Sequence, residues 1–311
     1  MNILVVGAGG VGGYFGGRLM EKGEDVTFLV RSNRKKQLEE TGLVVRSIHG
    51  DFKINPKTLT NRSANECYDL IILSTKAYHL QEAIEDMKPF VGKDTIILPL
   101  LNGMKHIDVL KDVFGEEKVL GGLCFIETTL NEKGEIVQTS QDHHLKFGEL
   151  NGEHTTRIEK LAEVFSNTKT EMKASRNILK AMWQKYMFIS AFSGVTTLFQ
   201  APIGPIRETE YGLELIEDVL YEIDAIMKKV GAPLDNQIVA KQMKTIQKME
   251  YDMKSSMQRD MEKKSLVEAD HLQGYLLTLA EKHDLHAPIL KMIYTNVKLY
   301  LKNHEMNRYK Q

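Results

Sequence analysis

Gly7-Ala8-Gly9-Gly10-Val11-Gly12 fits the spacing G-x-G-x-x-G, directly after the apolar run Ile3-Leu4-Val5-Val6 and at the start of a helical pattern. In that spacing the first glycine makes the tight turn, and the second lets the backbone approach a pyrophosphate. The third lets helix and strand pack closely. The diphosphate then rests on the helix N-terminus, where free N–H groups and the helix dipole favour an anion. Gly7, Ala8, Gly9, Gly10, Val11 and Gly12 are therefore expected to hold a dinucleotide, although the same string can serve packing alone. The end of the second strand indicates which dinucleotide. A carboxylate there would bind the ribose 2′-OH of NAD, whereas a basic residue suits the 2′-phosphate of NADP. The run Asp25-Val26-Thr27-Phe28-Leu29-Val30 ends in Arg31-Ser32-Asn33-Arg34, with no carboxylate before Glu39. Arg31 and Arg34 could both meet a phosphate and Ser32 could donate a hydrogen bond, so NADP(H) is the expected cofactor. The plain alternative is a pair of solvated cations at a helix start.

These residues need a scaffold. Ile3 to Val6 reads as a buried strand, Gly10 to Lys22 as a helix, Asp25 to Val30 as a second strand, and the polar stretch from about Asn33 as a second helix. Leu70-Ile71-Ile72-Leu73 and Thr95-Ile96-Ile97-Leu98 are further continuous apolar runs, with a helical stretch Leu80 to Met87 between them. Strands apolar on both faces and alternating with helices imply a parallel sheet covered on both sides. Ser74-Thr75-Lys76-Ala77 and Leu101-Asn102-Gly103-Met104 follow two of these strands, at the ends where open α/β sheets bind ligands. From Lys118 to Gly148 short alternating runs flank a turn at Asn131-Glu132-Lys133-Gly134, which reads as antiparallel strands closing the sheet. Beyond about Ser175 the pattern is helix after helix, with 3.6-period stretches such as Leu213 to Val230 and Leu266 to His283. The expected architecture is an α/β Rossmann-type N-terminal domain, residues 1–172, followed by an all-α C-terminal domain, residues 173–311.

Composition agrees with two soluble domains. The chain has 311 residues, about twice the ~150 of a typical domain. Its 41 basic and 42 acidic residues leave a net charge of −1. No global field would draw a polyanion, so neither nucleic acid nor a membrane surface is an expected partner. No run approaches the ~18 apolar residues of a membrane span, and the start of the chain has no signal-peptide character. Cys67 and Cys124 lie far apart and outside any metal-ligand spacing. They read as reduced core residues of a cytoplasmic protein with no metal site.

Several further strings fall in order along the chain: Asn102-Gly103-Met104, Trp183-Gln184-Lys185, Ser255-Ser256-Met257, Glu268-Ala269-Asp270, Gly274-Tyr275-Leu276-Leu277, and His283 to Pro288. Together they resemble the ketopantoate reductase (2-dehydropantoate 2-reductase) family over nearly the whole chain. The resemblance implies NADPH-dependent reduction of a 2-oxo acid in a cleft between two domains. Ketopantoate is the first candidate, giving pantoate for pantothenate and coenzyme A synthesis. Hydride addition to a ketone leaves an alkoxide, which needs a positioned acid. The resemblance assigns that role to Lys185. It also gives Glu268 the substrate's hydroxyl end and the ordering of the lysine, and gives Ser256 the substrate carboxylate. Asn102 falls near the nicotinamide and the reacting carbonyl, and Lys76 is a second lysine at the cleft. Lys76, Asn102 and Glu268 thus join Arg31 and the glycine turn among the expected cofactor contacts. The bland readings are a surface lysine at 185, a helix-face carboxylate beside Lys264 for Glu268, and a loop or cap serine at 256.

The sequence departs from the family pattern where asparagines usually stand, four and eight residues after the catalytic lysine. Here those positions are Ile189 and Ser193, on the same helix face as Lys185. A third asparagine position is Met253, whereas Thr196 still matches. Ile189, Ser193 and Ser256 are the expected substrate-binding residues. The substitutions imply a less polar pocket, so a paralogue for a more apolar 2-oxo acid is the alternative reading. A non-catalytic NADPH-binding sensor is a further one. Long amphipathic helices in the second half could also build a homodimer.

Overall fold

A computed structural model describes residues 1–61 and 66–308. The chain forms two compact units, one of Met1–Leu101 with His106–Leu179, the other of Asn102–Lys105 with the chain from Lys180 onward.

In the first unit the elements run β1 (Asn2–Val6), α1 (Gly10–Lys22), β2 (Asp25–Leu29), α2 (Ser32–Thr41), β3 (Leu43–Ser47), β4 (Phe52–Ile54) and β5 (Lys57–Leu59). Then come β6 (Tyr68–Leu73), α3 (Leu80–Met87), β7 (Val91–Pro99), α4 (Lys105–Phe114), β8 (Gly121–Leu130), β9 (Ile136–Gly148), α5 (Thr156–Phe165) and β10 (Met172–Ala174). A parallel sheet of order β5-β2-β1-β6-β7 fills the first half. Its central strands are apolar on both faces, and Ile3, Leu4, Val5, Leu70 and Ile71 are fully buried. This is the α/β architecture read from the alternating strands and helices.

The long hairpin of β8 and β9 does not close that sheet, as its alternating sequence suggested. It belongs to a second sheet of order β10-β9-β3-β4, with β8 paired antiparallel to β9. An isolated bridge between Ile97 and Val119 is the point where the hairpin's lead-in meets β7. Helix α1 lies between the two sheets. A Cβ on Gly16 would fall 2.8 Å from Phe28 and 3.0 Å from Val5 of the parallel sheet, and one on Gly17 would fall 2.9 Å from Phe52 of the second sheet. Only hydrogen fits on either face. The cysteines divide: Cys124 of β8 is buried as expected, whereas Cys67, at the solvent edge just before β6, is exposed.

The second unit contains α6 (Ile178–Phe199), α7 (Ile203–Glu208), α8 (Gly212–Lys229), α9 (Ile238–Lys248), α10 (Ser256–Glu262), α11 (Gln273–Lys282) and α12 (Pro288–Arg308). Helix α6 has apolar residues around its whole circumference, and Tyr186, Met187, Ala191 and Val195 are inaccessible to solvent. A helix of that kind is stable only when surrounded. The expected helix from Leu266 to His283 is shorter than its periodicity implies, because α11 begins only at Gln273. Lys264 takes a positive φ of 54° after α10, and residues 265–272 run as loop and turn. Val267, Ala269 and Leu272 are buried while Asp270 between them is exposed, so this segment lies along the unit's core. Its backbone is satisfied by local turn bonds, such as Leu272 N–H to the Glu268 carbonyl, and by tertiary partners, including the Tyr300 hydroxyl donating to the Ser265 carbonyl at 2.7 Å. Among the described residues no helix is long and apolar enough to cross a membrane.

Candidate active-site residues and family

The first unit presents an anion cradle at the end of β1. Gly7 takes a φ of 95°, closed by a hydrogen bond from its N–H to the Leu29 carbonyl at 3.0 Å. A side chain there would need left-handed backbone, which L residues adopt only at a cost. A Cβ on Gly9 would meet nothing within 4 Å, so the backbone facing α1's start is open to a ligand. Gly9 is the N-cap of α1, no side chain caps the helix, and its first turn has no acidic residue. Those free N–H groups and the positive helix end suit a diphosphate. Gly12 serves close packing, since a Cβ there would sit 2.0 Å from Ser74 Oγ and 2.2 Å from the Gly7 carbonyl. Thr75 Oγ1, at the end of β6, is buried without a protein partner. Ala8 is buried, Gly10 lies under Thr128, and Val11 is half-buried on the turn. The residues present fit a dinucleotide.

The two arginines after β2 have different positions. Arg31 is the N-cap residue of α2 and is mostly exposed. Its guanidinium pairs with Glu82 and lies 2.9 Å from His79 Nδ1. Burial and the Arg31 charge lower the His79 pKa from its ordinary value, against the pull of Glu82. Arg31 is thus on the surface, where a phosphate could exchange with Glu82. Arg34 is half-buried over the glycine turn, and its Nη2 is buried without a protein partner. It donates to the Ala8 carbonyl at 3.1 Å, to Gln37 at 2.7 Å and to the Gly134 carbonyl at 2.8 Å. It ties the glycine turn to α2 and to the β8–β9 turn. Lys76 is half-buried after β6, and its carbonyl accepts from His79 N–H at 2.9 Å.

In the second unit, the remaining candidates are connected through one segment, residues 268–274. Lys185 is half-buried on α6. Its neighbour Tyr186 is fully buried and donates from its hydroxyl to the Leu272 carbonyl at 2.6 Å. Glu268 is half-buried in the turn, not on a helix face, and its carbonyl accepts from the N–H groups of His271 and Leu272, both at 3.0 Å. The His271 ring donates to the Asn102 carbonyl. Asp270 is held by Tyr294 at 2.5 Å and by Lys298 at 3.0 Å, both on α12. Burial alone would raise the Asp270 carboxyl, but these donors outweigh it and hold it below its ordinary value. Burial and Asp270 together push the Tyr294 phenol up to about 12. Asp270 therefore anchors the turn, and of its two carboxylates Glu268 is the candidate for chemistry.

The substrate candidates divide as well. Ile189, one turn after Lys185, is half-buried. Ser193 is 3% exposed, and its Oγ accepts from Gln273 Nε2 at 3.0 Å. Ser255, not Ser256, caps α10, accepting from Gln258 N–H at 3.1 Å and bonding Thr196 Oγ1 at 2.8 Å. Ser256 is the first helical residue and is exposed. Tyr186, His271 and Gln273 are not evident from sequence patterns. Their only signal is position, beside W-x-K and E-x-D, plus a polar group in an otherwise apolar stretch.

The family model described as ketopantoate reductase PanE/ApbA matches residues 3–152, and that for its C terminal part matches residues 177–301. The uncharacterized oxidoreductase YkpB of Bacillus subtilis (strain 168) is 48% identical over 300 residues, 96% of this chain and 99% of that protein. A 2-dehydropantoate 2-reductase structure from Geobacter metallireducens GS-15 is 26% identical at a TM-score of 0.86, covering 96% of this chain and 99% of that one. A D-mandelate dehydrogenase solved with NADH and anilino(oxo)acetate shares the fold at 20% identity and a TM-score of 0.88, over 98% of this chain and all of that one. Fold, glycine turn and these matches together define an oxidoreductase. The chain belongs to the ketopantoate reductase family.

Proposed function

We propose that this chain is an NADPH-dependent reductase of 2-oxo acids. The observation that carries the reading is the junction at residues 268–272, bonded both to the helix bearing Lys185 and to the loop bearing Asn102. In this reading residues 1–172 hold the cofactor, through the glycine turn, Arg31 and Lys76, and residues 173–311 supply the substrate chemistry. When bound, NADPH supplies the hydride that reduces the keto carbon. Lys185 gives its proton to the carbonyl oxygen as negative charge builds there, a role suited to a positioned cationic acid. Glu268 takes the substrate's hydroxyl end and orders Lys185, Asn102 hydrogen-bonds beside the reacting carbonyl, and Ser256 takes the carboxylate.

Ketopantoate, reduced to pantoate, is the first substrate of this proposal. Ile189 supports a second reading, a 2-oxo acid with a more apolar tail. A sensor that binds NADPH without turnover would need only the glycine turn and Arg31, and would leave Lys185, Glu268 and Asn102 unexplained. NADPH oxidation with a panel of 2-oxo acids separates the three. Turnover should be seen with at least one acid, and Lys185→Ala should lower it about 10²-fold or more. Cofactor binding, followed by the fluorescence of Trp183, should stay intact in that variant. No oxidation with any acid, or full turnover without Lys185, would overturn the reading.

A further inference from the structure

We propose that His271 is a positioning residue for the reduction, fixing the Asn102 loop against the turn that carries Glu268. The inference rests on the reductase reading above.

His271 is 7% exposed and touches both partners at once. On one side its N–H donates to the Glu268 carbonyl at 3.0 Å. On the other its ring donates to the Asn102 carbonyl. Gly103 fits this contact: its φ is 88°, and a Cβ there would lie 3.0 Å from His271 Cδ2 and 3.3 Å from Nε2. The peptide plane of the loop thus rests on the imidazole edge, with no room for a side chain between them. Burial, then the nearby Lys105 charge, keeps the ring neutral at physiological pH. A neutral imidazole has one N–H to give, and here the Asn102 carbonyl receives it. Asn102 and Glu268 are far apart in sequence, and this residue bonds to the backbones of both. Misplacement of a reacting group by about 1 Å can cost up to about a hundredfold in rate. A smaller side chain at 271 would release the loop by that order.

The test compares His271→Ala with His271→Gln, which keeps the volume and an N–H donor at about the reach of Nε2. For the best 2-oxo acid, the alanine variant should lose roughly tenfold to a hundredfold in kcat, with the NADPH dissociation constant within about twofold of the unmodified protein. The glutamine variant should recover most of the loss. Amide hydrogen exchange should quicken in the peptide around residues 100–106 of the alanine variant and stay unchanged across β1 to β6. Unchanged kcat and unchanged exchange would overturn the proposal, as would a glutamine variant no better than alanine. If the unmodified protein reduces no 2-oxo acid, the reductase reading fails on its own. The exchange measurement then still decides whether His271 holds the loop, and unaltered exchange there overturns the coupling.

Discussion

Tyr186 and Leu272 are joined by a 2.6 Å hydrogen bond from the phenol hydroxyl to the backbone carbonyl, across 86 residues of sequence. Burial raises the Tyr186 phenol well above its ordinary value, so it stays protonated and remains a donor at any working pH. Tyr186→Phe would leave the Leu272 carbonyl buried without that partner, at a cost of about 1–3 kcal/mol. The expected result is a fall of several degrees in Tm together with a lower kcat, because the turn carrying Glu268 loses its bond to the helix carrying Lys185. A variant with both quantities unchanged would show that the bond holds nothing in place.

The two arginines after β2 should be separable by cofactor titration. NADPH is expected to bind at least about tenfold more tightly than NADH. Arg31→Ala should narrow that gap mainly by weakening NADPH. Glu82→Gln should widen it, since the phosphate would no longer displace a carboxylate from Arg31. Arg34→Ala should weaken both cofactors alike, because that side chain holds the Ala8 carbonyl of the glycine turn. Equal affinities in the unmodified protein, or an Arg34→Ala effect confined to NADPH, would contradict this division.

Ile189 and Ser193 should behave differently when changed to asparagine. Ile189 is half-buried and offers no hydrogen bond, so a polar substrate group facing it would forgo about 1–3 kcal/mol. Ile189→Asn should raise kcat/KM for ketopantoate and lower it for an acid with an apolar tail. Ser193 is packed against the Gln273 amide, so Ser193→Asn should overpack the site and cost about 1–3 kcal/mol of stability. Efficient ketopantoate reduction by the natural chain, with no gain from Ile189→Asn, would make isoleucine at this position silent.

Stability should also depend on pH through His271. Burial, with the Lys105 charge, lowers its pKa from 6.5 to about 4. The unfolded chain therefore binds the proton more readily between those two values. The contribution is complete above about pH 6.5 and is lost progressively as pH falls toward 4, up to about 3 kcal/mol in all. Chemical denaturation at a series of pH values should show this slope, and His271→Gln should reduce it. Parallel profiles for the two proteins would assign the slope to other groups.

Local signals are legible in the sequence, and distant pairings are not. The glycine turn and the apolar strands announce themselves because each is a short run with one physical reading. The second sheet does not, since β3 and β4 are brief and Val45 finds its partner at Ile136, far along the chain. Leu266 to Leu272 reads as helix from its apolar residues, yet Val267, Ala269 and His271 are buried in alternation, the spacing of an extended segment. Arg34 reads as a phosphate ligand from its position, but its bonds to the Ala8 and Gly134 carbonyls are invisible in the sequence. The family strings point to Lys185, Glu268 and Asn102 as candidates, but not to Tyr186 and His271, whose bonds reach the Leu272 and Asn102 carbonyls.

Helix α1 is clamped on both sides, with Phe28 on one and Phe52 on the other, and glycines are all that separate it from them. A rod held this way cannot shift toward either sheet when a charged group docks at its tip. The ordering that a flexible loop would undergo during binding has here been completed during folding. Affinity at such a tip is then set by the quality of the contacts and not by the entropy of assembling them. The same rigidity makes the tip sensitive to changes made at a distance. A bulkier side chain at Phe52, on the far sheet, would push the rod and be felt at the glycine turn.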